Sequence, residues 1–179
     1  MTAARVLNKP LELDPADPLP AARLFIERHY TERKIRTLHH YAGCFYLWNG
    51  RCYDIIDSQS VRGRVYTFLE TASRRTRKGK LVRYEPNMAR VSNVMDAIQA
   101  LTIIPSSTRL PAWLEWGPGE CRAASEILSC ANGLLHLPSR DLSPLTPTLL
   151  TVNSLDFPYD SEAPPPQAWL AFLSSLWGD

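Results

Sequence analysis

Between Arg62 and Arg90 the chain carries nine basic residues (Arg62, Arg64, Arg74, Arg75, Arg77, Lys78, Lys80, Arg83, Arg90) against two acidic ones, Glu70 and Glu85. Lysine and arginine at this density can replace counterions along a phosphate backbone, giving affinity for DNA without reading its sequence. The residues singled out for that contact are Arg62, Arg74, Arg75, Arg77, Lys78, Lys80 and Arg83. The competing reading of the same run is a solvated helix face followed by a loop.

Other chemistries find less. A nucleotide-hydrolysing loop needs backbone N–H groups and a lysine around phosphate, but the Gly79-Lys80 pair is followed by Leu81, and Arg74 stands where the first glycine should be. Two-metal polymerase chemistry needs clustered carboxylates; Asp54 and Asp57 are separated by two isoleucines, and Asp57 suits a helix cap better. GPGE at 117–120 reads as a turn. His39-His40 fits the end of a first helix, where a cation complements the dipole, and His136 is expected to point outward from a strand. Cys44, Cys52, Cys121 and Cys130 lie at spacings that match no zinc knuckle or small disulfide framework, so reduced, packed thiols are favoured over a metal site with His39 or His40. No catalytic, cofactor or metal residue is assigned.

The elements that must hold these residues follow from apolar spacing. Pro20 to His39 reads as an amphipathic helix with Ala21, Leu24 and Phe25 inward. FYLWNGRCYD, 45–54, places β-formers around Asn49-Gly50, a two-residue hairpin turn that would pair Trp48 with Arg51 and Tyr46 with Tyr53. The aromatic face so formed is more consistent with a core under helices than with a base-stacking platform. A second helix, capped near Asp57, has the stripe Val61, Val65, Phe68, Leu69, Ala72 and runs on through SRRTRKGKLVR to Gly79. A third opens at Pro86, carries Val91, Val94, Met95, Ile98 and Leu101, and closes at Pro105. Residues 106–119 form a loop pinned by Leu110, Trp113, Leu114 and Trp116. ILSCANGLLHL is a second hairpin turning at Asn132-Gly133, 142–159 runs extended over the surface, and a last helix places Trp169, Phe172, Leu173 and Leu176 on one face and stops at Gly178.

The expected fold is therefore α+β but mostly α: a small helical domain with two short β-hairpins. Residues 1–19 read as a flexible leader, 20–160 as the helical domain with hairpins near 43–56 and 127–137, and 161–179 as a C-terminal helix. With 179 residues, 45% apolar and 21% charged, the chain suits one globular domain, and its net charge of +2 names no partner. The distribution is lopsided: no Lys or Arg follows Arg140, while Asp141, Asp156, Asp160, Glu162 and Asp179 do. No apolar run suits a bilayer or a signal peptide, which gives a cytoplasmic expectation.

The order of the pieces is also informative. FYLWNGRCYD, helices, ILSCANGLLHLPSRDLSPLTP, TLLTVNSLDFPYD and PPPQAWLAFLSSLWGD together resemble the region just upstream of the superfamily 3 helicase in phage, plasmid and poxvirus-type primase–helicases. The likeness covers roughly Ala21 to Asp179 and is most specific at Asn132-Gly133, Pro147, Tyr159-Asp160 and the Trp169–Phe172–Leu173 helix. His136, Ser139-Arg140 and Cys52-Tyr53 depart from it, where the family usually shows Asp, Thr-Gly and Trp. The resemblance implies a non-catalytic, DNA-positioning piece. Its partners would be DNA, bound without sequence preference, and helicase or primase domains of the same or a companion protein. The rival expectation is a protein-interaction module that docks through its acidic, Pro- and Trp-rich end without touching DNA.

Overall fold

The computed structural model describes residues 11–114 and 122–177. In chain order the elements are α1 (Pro18–His29), β1 (Thr31–Glu32), β2 (Ile35–Arg36), β3 (Leu38–Tyr41), β4 (Cys44–Trp48), β5 (Tyr53–Ile56), α2 (Ser58–Glu70), β6 (Ser73–Arg75), β7 (Leu81–Arg83) and α3 (Met88–Thr102). There follow β8 (Ala112–Trp113), a short 3-10 turn (Ala124–Glu126), β9 (Ile127–Cys130), β10 (Gly133–His136), β11 (Leu142–Ser143), β12 (Leu149–Leu150) and α4 (Gln167–Trp177). The described residues thus form four α-helices and twelve strands in five small sheets. This is an α+β fold, not a mostly helical one with two hairpins. The excess over expectation comes from strands of two to four residues, too short to show an alternation in the sequence.

The first difference lies after Tyr30. Instead of continuing to His39, α1 stops at His29, and β1 and β2 pair antiparallel through Arg33 and Lys34, both at positive φ (50° and 71°). Neither residue is a glycine or asparagine, so the turn carried no sequence signal. His39 and His40 accordingly sit in β3, not at a helix end.

Sheet β3-β4-β5 divides the interior. On one face Phe45, Leu47 and Ile56 pack against α1, α2 and α3, within a cluster holding Phe25, Leu38, Val61, Val65, Leu69, Val91, Val94 and Ile98. The stripes expected on α2 and α3 face inward, with Leu101 only partly buried and Ala72 buried just beyond the end of α2; Asp57 accepts from the Ser60 N–H at 3.0 Å and Asn87 from that of Arg90 at 3.0 Å at their caps. On the other face Tyr46 and Tyr53 are buried with Ile104 and Leu150, flanked by Tyr41, Trp48, Leu110 and Leu114. The aromatic face is therefore core, but it is covered by the segment after α3 and by β12 rather than by helices. Leu149 and Leu150, in a stretch expected to cross the surface, are fully buried.

Both asparagine–glycine turns are displaced. In the first hairpin the partners are Trp48↔Tyr53 and Tyr46↔Ile55, because Asn49 folds its Oδ1 onto the N–H groups of Arg51 (2.9 Å) and Cys52 (3.0 Å) and makes a four-residue loop. A shift by two leaves each side chain on its expected face. In the second hairpin the turn is Ala131-Asn132, and Gly133 pairs with Cys130 inside the strand. Asn132 instead clasps Tyr159 through both backbone groups, at 2.9 Å each.

Candidate nucleic-acid interface

Helix α2 ends at Glu70 rather than running on to Gly79, and the basic segment folds back on itself as the β6–β7 hairpin. The turn is built by Thr76. Its N–H donates to Lys80 O (2.9 Å), its carbonyl accepts from the Gly79 N–H (2.8 Å), and its hydroxyl accepts from the Lys80 N–H (3.2 Å). Gly79 has φ +77°, a conformation that favours glycine. The sequence hid this hairpin because its residues are charged on both faces, which removes the period-2 signal and leaves a pattern that reads as solvated helix.

The hairpin's base is fastened to the body. Ser73 exchanges backbone bonds with Leu11 and Leu13, its N–H reaching Leu11 O at 2.7 Å and its carbonyl accepting from the Leu13 N–H at 2.9 Å. Residues 11–13, in the stretch read as leader, thereby lie along β6, and Leu13 is buried. Arg90 on α3 donates to the carbonyls of Tyr84 (2.8 Å) and Glu85 (2.6 Å) and lies over the Tyr84 ring.

The seven residues expected to contact DNA fall into three groups. Arg74 and Arg75 are engaged within the protein: Arg74 pairs with Glu85 at 3.1 Å, and Arg75 grips both carboxylate oxygens of Glu12 and also donates to Gly79 O at 3.2 Å. Arg62 sits on α2 and donates to Ser92 on α3 at 3.1 Å, a helix-to-helix tie away from the hairpin. Arg77, Lys78, Lys80 and Arg83 are exposed on the hairpin and make no salt bridge among the described residues.

Residues weighed for catalysis do not converge. Asp54 accepts from Asn49 Nδ2 at 2.9 Å, Asp57 caps α2, and Lys80 belongs to the hairpin turn. Cys44, Cys52 and Cys130 are free thiols, the last two buried. Cys121, Trp116, GPGE 117–120 and Gly178 lie outside the described residues. His136 is not simply outward. Its Nδ1 is 2.7 Å from Ser139 Oγ and its Nε2 is 3.4 Å from Glu126, while the Ser139 hydroxyl donates to Asp141, which also pairs with Arg122 at 2.8 Å. The Ser139 hydroxyl and the Arg122 guanidinium hold the Asp141 carboxyl below its usual range. With the one hydroxyl proton committed to Asp141, this network fastens the turn around Arg140, whose φ is +60°.

Sequence reasoning missed a second feature. His39 is buried, and burial first, then the Arg36 charge, lower its pKa to about 4, so the ring is neutral. It lines a cavity of about 300 Å³ together with residues as distant in sequence as Ile104 and Pro147.

A basic hairpin thus stands on a small α+β body that also exposes the apolar helix α4. The D5 N terminal like family model matches residues 22–178, and the chain belongs to that family, the domain preceding the superfamily 3 helicase in phage, plasmid and poxvirus primase–helicases. It is thus a primase–helicase-associated domain. No curated protein matches the chain. No helix among the described residues is long and apolar enough to cross a membrane.

Proposed function

We propose that this chain is a non-catalytic DNA-binding module that holds the phosphate backbone for a primase–helicase, through the turn of the β6–β7 hairpin. One observation carries the reading: Arg77, Lys78, Lys80 and Arg83 are exposed with no ion pair among the described residues, while Arg74 and Arg75 beside them are consumed in fixing the hairpin to the body. Exposed cations outside internal salt bridges can release counterions from a phosphate chain without first breaking such bridges. The contact set is therefore Arg77, Lys78, Lys80 and Arg83, with Arg62, Arg74 and Arg75 in supporting positions.

Fluorescence anisotropy with a labelled single strand and a duplex, at several salt concentrations, tests this. Affinity should be indifferent to sequence and should fall with salt, with a log–log slope of about −0.7 per phosphate neutralised on a single strand. Replacing Arg77, Lys78, Lys80 and Arg83 by Ala should weaken binding and flatten the slope. Identical curves for parent and variant, or no binding by the parent at low salt, would remove the reading.

A second reading has its own observation. No residue of α4 is buried; Trp169, Leu170, Phe172, Leu176 and Trp177 are all exposed, and the helix has no charged residue. A helix with so broad an apolar face is ordinarily covered on that face, and the cover proposed is an adjoining primase or helicase domain. The two readings are compatible, since hairpin and helix are different surfaces.

A further inference from the structure

A groove of about 680 Å³ runs between the last turn of α1 and the outer side of α2. Arg28 and His29 line it from α1, and Ser60, Gly63, Arg64 and Thr67 from α2, with Thr71 at the end next to β6. All of these are exposed; only Phe68, whose ring lies 5.9 Å from that of His29, is buried. None of the lining residues is acidic. Arg28 and Arg64 make no salt bridge among the described residues. Arg64 is held in place by one N–H on the Tyr30 hydroxyl at 3.2 Å and by the ring below its guanidinium, which leaves its other donors for a further group. Arg28 and His29 at the end of α1 suit its dipole, but Arg64 comes from another helix, so the dipole does not account for the convergence.

Gly63 gives the groove its open floor. It lies inside α2, where glycine is the poorest helix former after proline, its φ is not in the left-handed region, and a β-carbon there would meet nothing within 4 Å. Neither the backbone nor packing within the fold calls for glycine, so the room it leaves is room for something outside the chain. The Thr67 hydroxyl donates to Gly63 O at 3.3 Å and that of Thr71 to Phe68 O at 2.7 Å, which leaves the guanidiniums as the principal donors. An apolar helix such as α4 laid here would strip water from both arginines and give neither a partner. A chain of phosphates supplies the partners. At a rise of about 1.5 Å per residue, Ser60 to Thr71 spans roughly 16 Å, long enough for successive phosphates of one strand. A duplex, with two backbones on a stiff rod, reaches the rim but not Gly63.

We propose that this groove is a second phosphate track, which carries a DNA single strand over Gly63, between Arg28 and Arg64, toward the β6–β7 hairpin. The inference rests on the reading of this chain as a DNA-binding module and gives the strand a course. Two observations join groove and hairpin: Thr71 stands two residues before Ser73, where β6 begins, and Arg28 also lines the hollow that Arg75 closes at the hairpin's base. That hollow contains Glu12, gripped by Arg75, and Asp14, so the strand runs along α2 rather than across it.

The test combines anisotropy of a labelled single strand and a duplex across a range of salt with the His29 imidazole signals by NMR, all in the full chain. Arg28→Gln with Arg64→Gln should weaken the single strand by roughly fivefold or more and reduce the log–log slope by about 0.7 for each phosphate released. Gly63→Leu should melt no lower than the parent, since leucine is the better helix former, yet weaken the strand severalfold and the duplex less. Added strand should shift the His29 signals saturably, because the ring lies in the groove. The variant lacking the four hairpin cations separates the two proposals: its His29 signals should still move, at higher strand concentration. Groove variants that bind like the parent while the hairpin variant loses DNA would end the groove inference and keep the hairpin reading; the opposite pair of results would keep the groove and remove the hairpin. No His29 response to the strand at low salt, equal losses on strand and duplex, or a polyglutamate peptide that binds the groove more tightly than the strand would also overturn the inference, the last marking an acidic protein partner instead.

Discussion

The Tyr53 hydroxyl donates to the carbonyl of Pro147 at 2.6 Å, joining residues 94 positions apart, and the Tyr53 backbone N–H reaches Thr151 O at 2.8 Å. One residue thus fastens the C-terminal strands to the central sheet by side chain and main chain. Burial pushes its phenol pKa well above the ordinary value. Tyr53→Phe keeps the ring and deletes one bond, stranding the Pro147 carbonyl. It should lower stability by about 1–2 kcal/mol in chemical denaturation. An unchanged midpoint would show that this tie contributes nothing.

Gly133→Ala should be costly although glycine is not needed there for its backbone angles. A β-carbon would stand 2.6 Å from the Ser143 carbonyl oxygen and 2.8 Å from Leu142 Cγ, and the first of these is backbone. Relief requires β10 and β11 to separate, at roughly 1–3 kcal/mol. Gly50→Ala serves as the contrast, since it meets only its positive φ and open space. Thermal unfolding of the two variants should rank Gly133→Ala as the less stable.

His39 should make the protein acid-sensitive. Its pKa is about 4 in the fold against 6.5 for an unperturbed imidazole, so between these values the unfolded chain binds a proton that the folded one refuses. Stability is complete above about pH 6.5, declines as pH falls, and has lost roughly 3 kcal/mol from this group by pH 4. His29, lowered by burial and by Arg64 and Arg28, acts with the same sign. The comparison is therefore between parent and His39→Phe by urea denaturation at pH 7, 5.5 and 4. The variant's decline should be shallower by that amount, and parallel curves would contradict it.

Within the basic segment, neighbouring arginines should behave oppositely. Arg75→Ala breaks the two-oxygen grip on Glu12 and loosens residues 11–13 from β6, so it should lower the melting temperature measurably, though exposed pairs of this kind contribute only about 1 kcal/mol. Lys78→Ala, at the exposed turn, should leave the melting temperature unchanged. Equal shifts by differential scanning fluorimetry would deny Arg75 its fastening role.

Trp169 and Phe172 stack at 5.5 Å on a helix with no buried residue. Changing both to Ser should leave unfolding of the remaining domain nearly as it was, whereas a loss comparable to that of a core aromatic would place α4 in the fold's own interior.

The legible part of this fold was its helical stripes. Val61, Val65, Phe68 and Leu69, and then Val91, Val94, Met95 and Ile98, repeat at three and four over more than two turns, and all are buried. The cap expected near Asp57 is the one found, whereas α3 starts at Met88 under an Asn87 cap, so Pro86, expected in its first turn, lies before the helix. What stayed hidden depends on contacts distant in sequence or on turns without glycine. Arg33-Lys34 closes a hairpin with two cations, and the two asparagines move their turns by bonding sideways, Asn132 to Tyr159. The hairpin carrying Arg77 and Lys78 was legible as charge but not as shape. The cavity at His39 was not legible at all, since Arg36, Ile104, Trp113 and Pro147 meet only after the sheet is covered.

The two coats of the central sheet are made at different times. During synthesis from the N-terminus, everything that covers Phe45 and Leu47 exists once α3 has emerged, whereas Tyr46 and Tyr53 wait for Leu150. For that interval the nascent chain presents a folded helical half with a bare aromatic flank, a ready adhesion point for another unfinished chain. The ribosome-bound protein is therefore at its stickiest while the stretch from Pro105 to Thr148 is being added, and slowing elongation there would lengthen the exposure.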